Sequence, residues 1–457
     1  MDNSLAIDIG ASSGRHILGH LEDGKIVTEE IYRFPNLPDE IEGHYVWNTE
    51  RLFAEILNGL KRAAEIGKIP SSVGIDTWAV DYALLDKDCK LIPPVFSYRD
   101  GRTEGVTDKL HSRIPFEELY SRTGIQFQPF NTVYQLYADK LSGRLQNAEH
   151  MLMLPDYFHF LLTGVMRQEY TNATSTGMVS ALGHTWDEKI IEAAGLDKKL
   201  FRPLSQPGET VGEFSDEVAA AVGYRAKVIL PATHDTASAV LAAPLSGVAP
   251  YISSGTWSLL GIEQPFAHTD KDSMSFNYSN EGSTNYSFRF QKNIMGLWMI
   301  QQVRHDLGDS YSFSELADLA RANPTDIVVD ANDGRFLAPE SMLEEVHAAA
   351  GRQLTVGQTA YCIFNSLAKC YAQSLEELES ITGEKYDTLY IIGGGCKNGL
   401  LNELTAKETG KRVVTGPSEA TAIGNLVMQM TGKKQIKNKD EARELIRNSF
   451  DISEVVL

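Results

Sequence analysis

Cysteine is scarce in this chain and basic residues are outnumbered, and both shortages narrow what it does. Four cysteines, Cys89, Cys362, Cys370 and Cys396, are spread over 457 residues. No CxxC pair occurs and no histidine stands beside a cysteine at metal-ligand spacing, so neither a zinc site nor a disulfide framework is indicated. Cys362 and Cys370 fall in one expected helix, whose ~1.5 Å rise per residue sets them roughly 12 Å apart, too far to bridge. Lysine and arginine total 42 against 61 aspartates and glutamates, a formal net charge of −19. That balance repels nucleic acid and anionic membrane at long range, so neither is an expected partner. An anionic ligand such as a nucleotide would need a bound cation, backbone amides or a few local Arg and Lys.

Long apolar runs are missing too. The longest candidate, ASAVLAAPLSGVAPYI, is broken by Pro244, Gly247 and Pro250, and the opening MDNSLAIDIG has no basic stretch ahead of an apolar one. A soluble, cytoplasmic protein is the expectation. Low-complexity segments and short-period repeats are absent.

What is present is enough apolar material for large cores, 42% of residues, in a chain longer than one core usually fills. Two domains are expected, residues 1–243 and 244–457, with a ligand-binding cleft between them and a seam through AAPLSGVAPY, residues 242–251. The fold class is α/β. HILGHL, the Asp23-Gly24 turn and KIVTEEIYRF read as a meander, whereas a dinucleotide-binding unit would pass from its glycine turn directly into a helix. Asn48 or Thr49 then caps a helix whose stripe is Leu52, Ile56, Leu60 and Ala63, followed by the strand SVGIDTW. The second half repeats the plan. YISSGTWSLLGIEQPF reads as strand, turn and strand; SMSFNYS and NYSFRFQ as two strands around NEGST; AYCIFNSLAKCYAQSLEELESITG as a long helix; TLYIIGGG as a strand.

Five stretches carry candidate chemistry. In DIGASSGR, Gly10 and Gly14 permit positive φ, while Ser12, Ser13 and Arg15 offer hydroxyls, amides and charge that together suit phosphate; a plain hairpin turn is the alternative. Asp8, ending a strand, suits a magnesium ion held through water. YISSGTWS offers the same small-hydroxyl turn again at Ser253, Ser254, Gly255 and Thr256, in the corresponding place of the second half. IIGGGCKN sets Gly393, Gly394 and Gly395 at a strand end, where backbone lets a flat ring lie close. In LPATHDTASAVLAA, Asp235 stands before an apolar helical run, the position of an N-cap and also of a base that takes a hydroxyl proton during phosphoryl transfer. GIDTWAVDYALLDKDCKLIPPVFSYRDGRT gathers Asp76, Trp78, Asp81, Arg99, Asp100 and Arg102, aromatic faces beside polar groups as a polyhydroxylated ligand requires; a strand pair with a charged loop is the alternative. Asn293 and Gln301 fall near an expected helix start in KNIMGLWMIQQVRHDLG.

Taken in order, DIGASSGR, GIDTWAVDY, YRDGRT, THDTASAV, SSGTWSL, KNIMGLW and IIGGGCKN make the chain resemble the FGGY carbohydrate kinases over nearly its whole length. The resemblance implies two similar domains of the actin/hexokinase (ribonuclease H-like) superfold with a deep interdomain cleft, an N-terminal sugar-binding domain and a C-terminal nucleotide-binding one. It implies ATP and Mg2+, a small-molecule ketose as acceptor, and transfer of the γ-phosphoryl of ATP to O1 of L-rhamnulose. Carried over by position, phosphate binding falls on Ala11, Ser12, Ser13, Gly14 and Arg15, the catalytic base on Asp235, and sugar contacts on Ala79, His234, Asp235, Thr236 and Asn293. Nucleotide contacts fall on Thr256, Gln301 and Gly395. The family commonly has Gly where this chain has Ala79, and a methyl group there narrows a sugar pocket. Another ketose, or a nucleotide-driven binding protein of the same superfold, is the competing expectation.

Overall fold

The opening residues fold as a meander: β1 (Ser4–Ile9) returns antiparallel as β2 (Ser13–Glu22), which returns as β3 (Lys25–Pro35). Asn48 caps the next helix, α1 (Thr49–Glu65), by accepting from Arg51 N at 2.9 Å, and Leu52, Ile56, Leu60 and Ala63 form its buried stripe. The chain then enters β4 (Ser72–Thr77), parallel to β1. Continuous burial along β1 and β4 fits strands covered on both faces. The computed structural model describes residues 2–456. It separates into two units, the first comprising Met1–Ala242, Gln264–Phe290 and Thr421–Ser449, the second Ala243–Glu263, Gln291–Ala420 and Phe450–Leu457.

The first unit completes its sheet with β5 (Thr210–Glu213) and β6 (Lys227–Ile229), in the order β5-β6-β4-β1-β2-β3. Leu5, Ile7, Ile9, Val73, Ile75, Val228 and Leu230 join Leu52, Ile56 and Leu60 in one core. Burying each such side chain contributes about 1.5–3 kcal/mol. Beyond β6 a short helix, α2 (Asp235–Leu241), starts at the sheet's end.

The second unit repeats the plan. β7 (Tyr251–Ser254) and β8 (Trp257–Gln264) are antiparallel, β9 (Phe288–Met295) leads to α3 (Trp298–Asp306), and the long α4 (Val356–Thr382) precedes β10 (Thr388–Ile392), parallel to β7. A capping box between Thr355 and Gln358 starts α4, and Ile363, Phe364, Leu367, Tyr371, Leu375 and Leu378 are its buried face. After α5 (Gly399–Thr409), β11 (Arg412–Thr415) extends the sheet; α6 (Ala420–Gly432) carries the chain back to the first unit, and β12 (Ser453–Glu454) closes on β11.

One expected strand is different. Most of SMSFNYS lies in or just after a helical turn, Lys271–Ser275, because the Asp270 side chain accepts from Ser273 N and Oγ; the strand begins at Ser279. Among the described residues the four cysteines are unpaired, and no helix is long and apolar enough to cross a membrane.

Candidate active site

The first hydroxyl-bearing turn is closed by its own backbone. Gly10 N–H donates to Ser13 O at 2.9 Å, while buried Asn36 donates from Nδ2 to Gly10 O at 2.8 Å and from N to Ser12 O at 3.0 Å. Gly10 and Gly14 were expected to supply positive φ, and neither does. Gly14 is required by packing instead, since a Cβ there would lie 2.1 Å from Phe34 Cζ. Ser12 is exposed, with Ala11 and Ser13 half-buried, so the turn's hydroxyls face outward. Arg15 is paired with Asp8 across β1 and β2, Nε lying 3.2 Å from Oδ2.

The parallel register of β1 and β4 sets Asp8 beside Asp76. Thr77 N–H donates to Thr233 O at 3.0 Å and Thr77 bridges His234, which brings the start of α2 to the same sheet end. Burial, with the Asp8 carboxylate next in importance, pushes Asp76 well above the ordinary carboxylate range; Asp235 adds to this and the Asn425 hydrogen bond opposes it. Asp76 Oδ1 is buried without a hydrogen-bond partner among the described residues.

Asp235 is not the N-cap that sequence pattern favoured. His234 occupies the cap position and Asp235 is the first helical residue. Its Oδ1 accepts from Thr236 N at 2.5 Å and Thr236 Oγ1 at 3.2 Å, whereas an N-cap side chain reaches the amides two or three residues on. The side chain is 29% exposed, leaving carboxylate surface for a ligand.

The segment ahead of Asp235 is held by residues that sequence reading missed. Glu169 Oε2 accepts from Thr233 N at 3.2 Å and Thr233 Oγ1 at 2.6 Å, and also from Thr171 Oγ1 and Asn172 N. Asn172 Nδ2 donates to Thr233 O and His234 N donates to Thr171 Oγ1, both at 3.4 Å. From the other side α6 lies against the backbone of α2, where a Cβ on Gly424 would fall 1.8 Å from Ser238 O. The polar cluster EYTNAT, residues 169–174, was the available signal, but nothing local ties it to residue 233.

In the first sugar loop, Ala79 is half-buried and Val80 has φ +69°. Asp81 N–H donates to Ala79 O at 2.9 Å, which makes Ala79–Asp81 a γ-turn of the strained, positive-φ kind, here on a β-branched residue. Thr132 Oγ1 donates to Val80 O at 2.7 Å and fastens it. The expectation that Asp81, Asp100 and Arg102 face a ligand is not met. Asp81 Oδ2 accepts from Trp47 Nε1, Trp78 Nε1 and Tyr98 N, and its Oδ1 from Gln135 Nε2. Burial raises this acid to about 6 against those four donors. Asp100 accepts from Tyr45 N and Arg102 N, while Arg102 pairs with Asp139 at 2.6 Å and lies over Phe96. These partners all lie inside the unit, and Arg102 Nε alone of these groups has no hydrogen-bond partner among the described residues.

Within the second unit, Gly255 N–H donates to Trp257 O, and the carbonyls of Gly255 and Thr256 accept from Leu297 N and Trp298 N at 3.0 and 3.1 Å. The second hydroxyl-bearing turn is therefore fastened to the start of α3. Gly296 makes this approach possible, since a Cβ there would meet Thr256 O at 2.6 Å. Gln301 is half-buried on α3, and Asn293 lies in β9 instead of near a helix start. Ser254 Oγ is buried without a hydrogen-bond partner among the described residues and packs on the glycine triplet, where a Cβ on Gly395 would come within 2.0 Å of it. Gly394 is exposed, and among the described residues nothing lies within 4 Å of where a Cβ would stand, so the open backbone of the triplet is there.

Among the described residues no three His, Cys, Asp or Glu side chains gather as a metal-binding set. Asp8 beside the orphaned Asp76 oxygen fits a hydrated hard cation held through water and by a nucleotide's own oxygens. It does not fit a cation enclosed by protein ligands.

Two family models match the chain: the N-terminal domain of the FGGY family of carbohydrate kinases over residues 4–242, and the C-terminal domain over residues 250–432. A rhamnulokinase of Halalkalibacterium halodurans is 47% identical, with all of this chain and 99% of that one covered. Those of Oceanobacillus iheyensis and Bacillus subtilis are 45% and 43% identical over 98% of this chain, covering 97% and 94% of theirs. Among solved structures, a ligand-bound xylulose kinase from Lactobacillus acidophilus superposes with a TM-score of 0.81 at 15% identity, covering 99% of this chain and 93% of that one. Plasmodium falciparum glycerol kinase with ADP gives 0.77, also at 15% identity, covering 99% and 94%.

Proposed function

The chain belongs to the FGGY family of carbohydrate kinases, and from that premise we propose that it transfers the γ-phosphoryl of ATP to O1 of L-rhamnulose, giving L-rhamnulose 1-phosphate and ADP in L-rhamnose catabolism. The observation that carries the choice of sugar is identity of 43–47% with three rhamnulokinases over almost every residue.

The roles of side chains follow from their surroundings. Asp235 offers exposed carboxylate on a segment held by Glu169 and backed by α6, so its position is fixed before the sugar arrives. It aligns the acceptor hydroxyl and takes its proton as the oxygen bonds to phosphorus and the bond to the β-phosphate oxygen breaks. His234, Thr236, Ala79 and Asn293 contact the sugar. Ala11 to Arg15 and Thr256 supply amides and hydroxyls to phosphate oxygens, with Gln301 and Gly395 on the nucleotide. Magnesium, when bound with ATP, supplies neutralisation of phosphate charge, and Asp8 holds its water shell. The N-terminal half, residues 1–243, serves the sugar, and residues 244–457 serve the nucleotide.

A coupled ADP-release assay over a panel of ketoses tests this reading. L-Rhamnulose should give the highest kcat/KM, with product phosphorus on C1 by NMR. A higher value for L-fuculose or a ketopentose would reassign the sugar, and ATP hydrolysis without phosphorylated sugar would reject the kinase reading.

A further inference from the structure

Next to Asp76, the N–H of Ile75 donates to a side chain and not to a neighbouring strand. β6 pairs with β4 at Ser72 and Val73, and the chain after β6 meets β4 again at the bridge between Thr77 and His234. In between, His159 Nε2 accepts from Ile75 N at 3.0 Å, and two residues on, Thr77 N–H donates to Thr233 O at 3.0 Å. Successive N–H groups on one side of β4 thus reach first an imidazole and then the segment that carries Asp235. His159 stands on the helix Leu154–Thr163, three positions after Asp156, and both side chains are fully buried. Asp156 Oδ2 accepts from Glu169 N at 3.2 Å, and Glu169 in turn takes Thr233 N and Thr233 Oγ1 on its carboxylate. One helical turn therefore holds two segments: His159 the strand that ends at Asp76 and Thr77, and Asp156, through Glu169, the segment that leads to Asp235.

We propose that Asp156 and His159 are positioning residues that hold the Asp235 segment in register with β4, a role that rests on Asp235 as the base. The pair does little for the core. Asp156 Oδ1 and His159 Nδ1 have no hydrogen-bond partner among the described residues, and because Nε2 accepts, the neutral ring carries its proton on Nδ1. A buried acceptor and a buried donor left unpaired one turn apart lower stability, which apolar side chains of similar volume would not do. What the two residues do is fix Thr233 from both sides. Its carbonyl is tied to β4 and its amide and hydroxyl to Glu169, two positions ahead of Asp235. A base must lie within about 2.6–3.2 Å of the hydroxyl it serves. Without Asp156 under its N–H, Glu169 shifts, and Thr233 and Asp235 shift with it; a displacement of about 1 Å lowers the rate by about a hundred-fold.

The experiment is steady-state kinetics on the full chain with L-rhamnulose and ATP, with rates taken per folded molecule as measured by circular dichroism. D156A should lower kcat at least ten-fold with KM for ATP within two-fold of the parent, and D156N, which keeps an acceptor oxygen for Glu169 N–H, should restore kcat to within three-fold. In a D235N background the same D156A change should alter the residual kcat less than two-fold, because no base is left to misplace. Should D156A not fold, H159L fills the space of the ring while leaving Ile75 N–H without its acceptor, and the same losses are expected of it in both backgrounds. Parental kcat in the folded variant, D156N no better than D156A, or an equal loss in the D235N background would overturn the proposal. D235N with parental turnover would instead overturn the assignment of Asp235 beneath it.

Discussion

Asn425 donates from Nδ2 to Asp76 Oδ2 at 2.6 Å, joining a helix near the end of the chain to a strand near its beginning. The same helix sends Gln429 to Leu5 O and to Asn425 Oδ1, and receives a hydrogen bond from Ser72. The central strands of the first unit are thus tied by amides chosen for hydrogen bonding at a fully buried site, and this bears on how Asp76 behaves with pH.

Because the folded state raises the pKa of Asp76 above its unfolded value, folding retains a proton that the unfolded chain releases. The stabilising contribution is present below the unfolded value of roughly 3.9 and is lost as pH rises through the folded one, at no more than about 1.4 kcal/mol per pH unit. Asp76→Asn keeps the shape and removes the proton exchange. Relative to the parent, its urea midpoint should improve between pH 5 and pH 8.

His159 works in the opposite direction. Its Nε2 accepts from Ile75 N–H at 3.0 Å inside the core, and burial lowers the imidazole to about 3. The unfolded chain therefore binds a proton that the folded chain refuses, so this contribution is present above roughly pH 6.5 and is lost as pH falls. Between pH 6.5 and 5 the loss is about 2 kcal/mol. His159→Gln retains an acceptor for Ile75 and should lose less stability over that interval in denaturant titrations.

Val80 is held at positive φ by Thr132, and the strain sits directly after Ala79. Thr132→Val removes the shorter of the two hydrogen bonds to the Val80 carbonyl, leaving that from Gln135 Nε2 at 3.3 Å, so the turn is held less firmly. We expect several-fold higher KM for the ketose with KM for ATP unchanged; a shift in the ATP value alone would disconnect this turn from the sugar. Ala79→Gly removes the methyl group and should narrow the kcat/KM gap between L-rhamnulose and a bulkier ketose.

Asp8 is assigned to the hydrated cation that accompanies ATP. Asp8→Ala should raise the magnesium concentration needed for half-maximal rate at least ten-fold while leaving sugar binding, measured calorimetrically, close to the parent. Unchanged magnesium titration would remove Asp8 from that role.

Some of this was legible because it is local. DIGASSGR, THDTASAV and the helix stripe from Leu52 to Ala63 announce themselves within a turn or two of chain, and periodicity gave α4 correctly. The structure brings Asp235 to the sheet end that carries Asp76 through a strand bridge at Thr77 and His234, which no spacing reveals. Glu169 under Thr233, Asn425 on Asp76, and Glu281 with Arg289 on His234 join residues 55 or more positions apart or lie in strands with no motif. Asp81, Asp100 and Arg102 misled for the converse reason. A polar cluster reads alike whether it faces a ligand or satisfies itself, and here two indoles and a neighbouring carboxylate absorb it. Gly14 was legible as necessary but not why, since the reason is the ring of Phe34 on another strand.

The most direct measurement compares parent and Asp235→Asn, following ADP release and the 31P spectrum of the product with L-rhamnulose and ATP, alongside calorimetric binding of the sugar. The account predicts one sugar 1-phosphate per ADP for the parent, and for the variant a kcat lower by a factor of about a thousand or more, with sugar affinity within about three-fold, as loss of a positioned base requires. Near-parental turnover in the variant would contradict it.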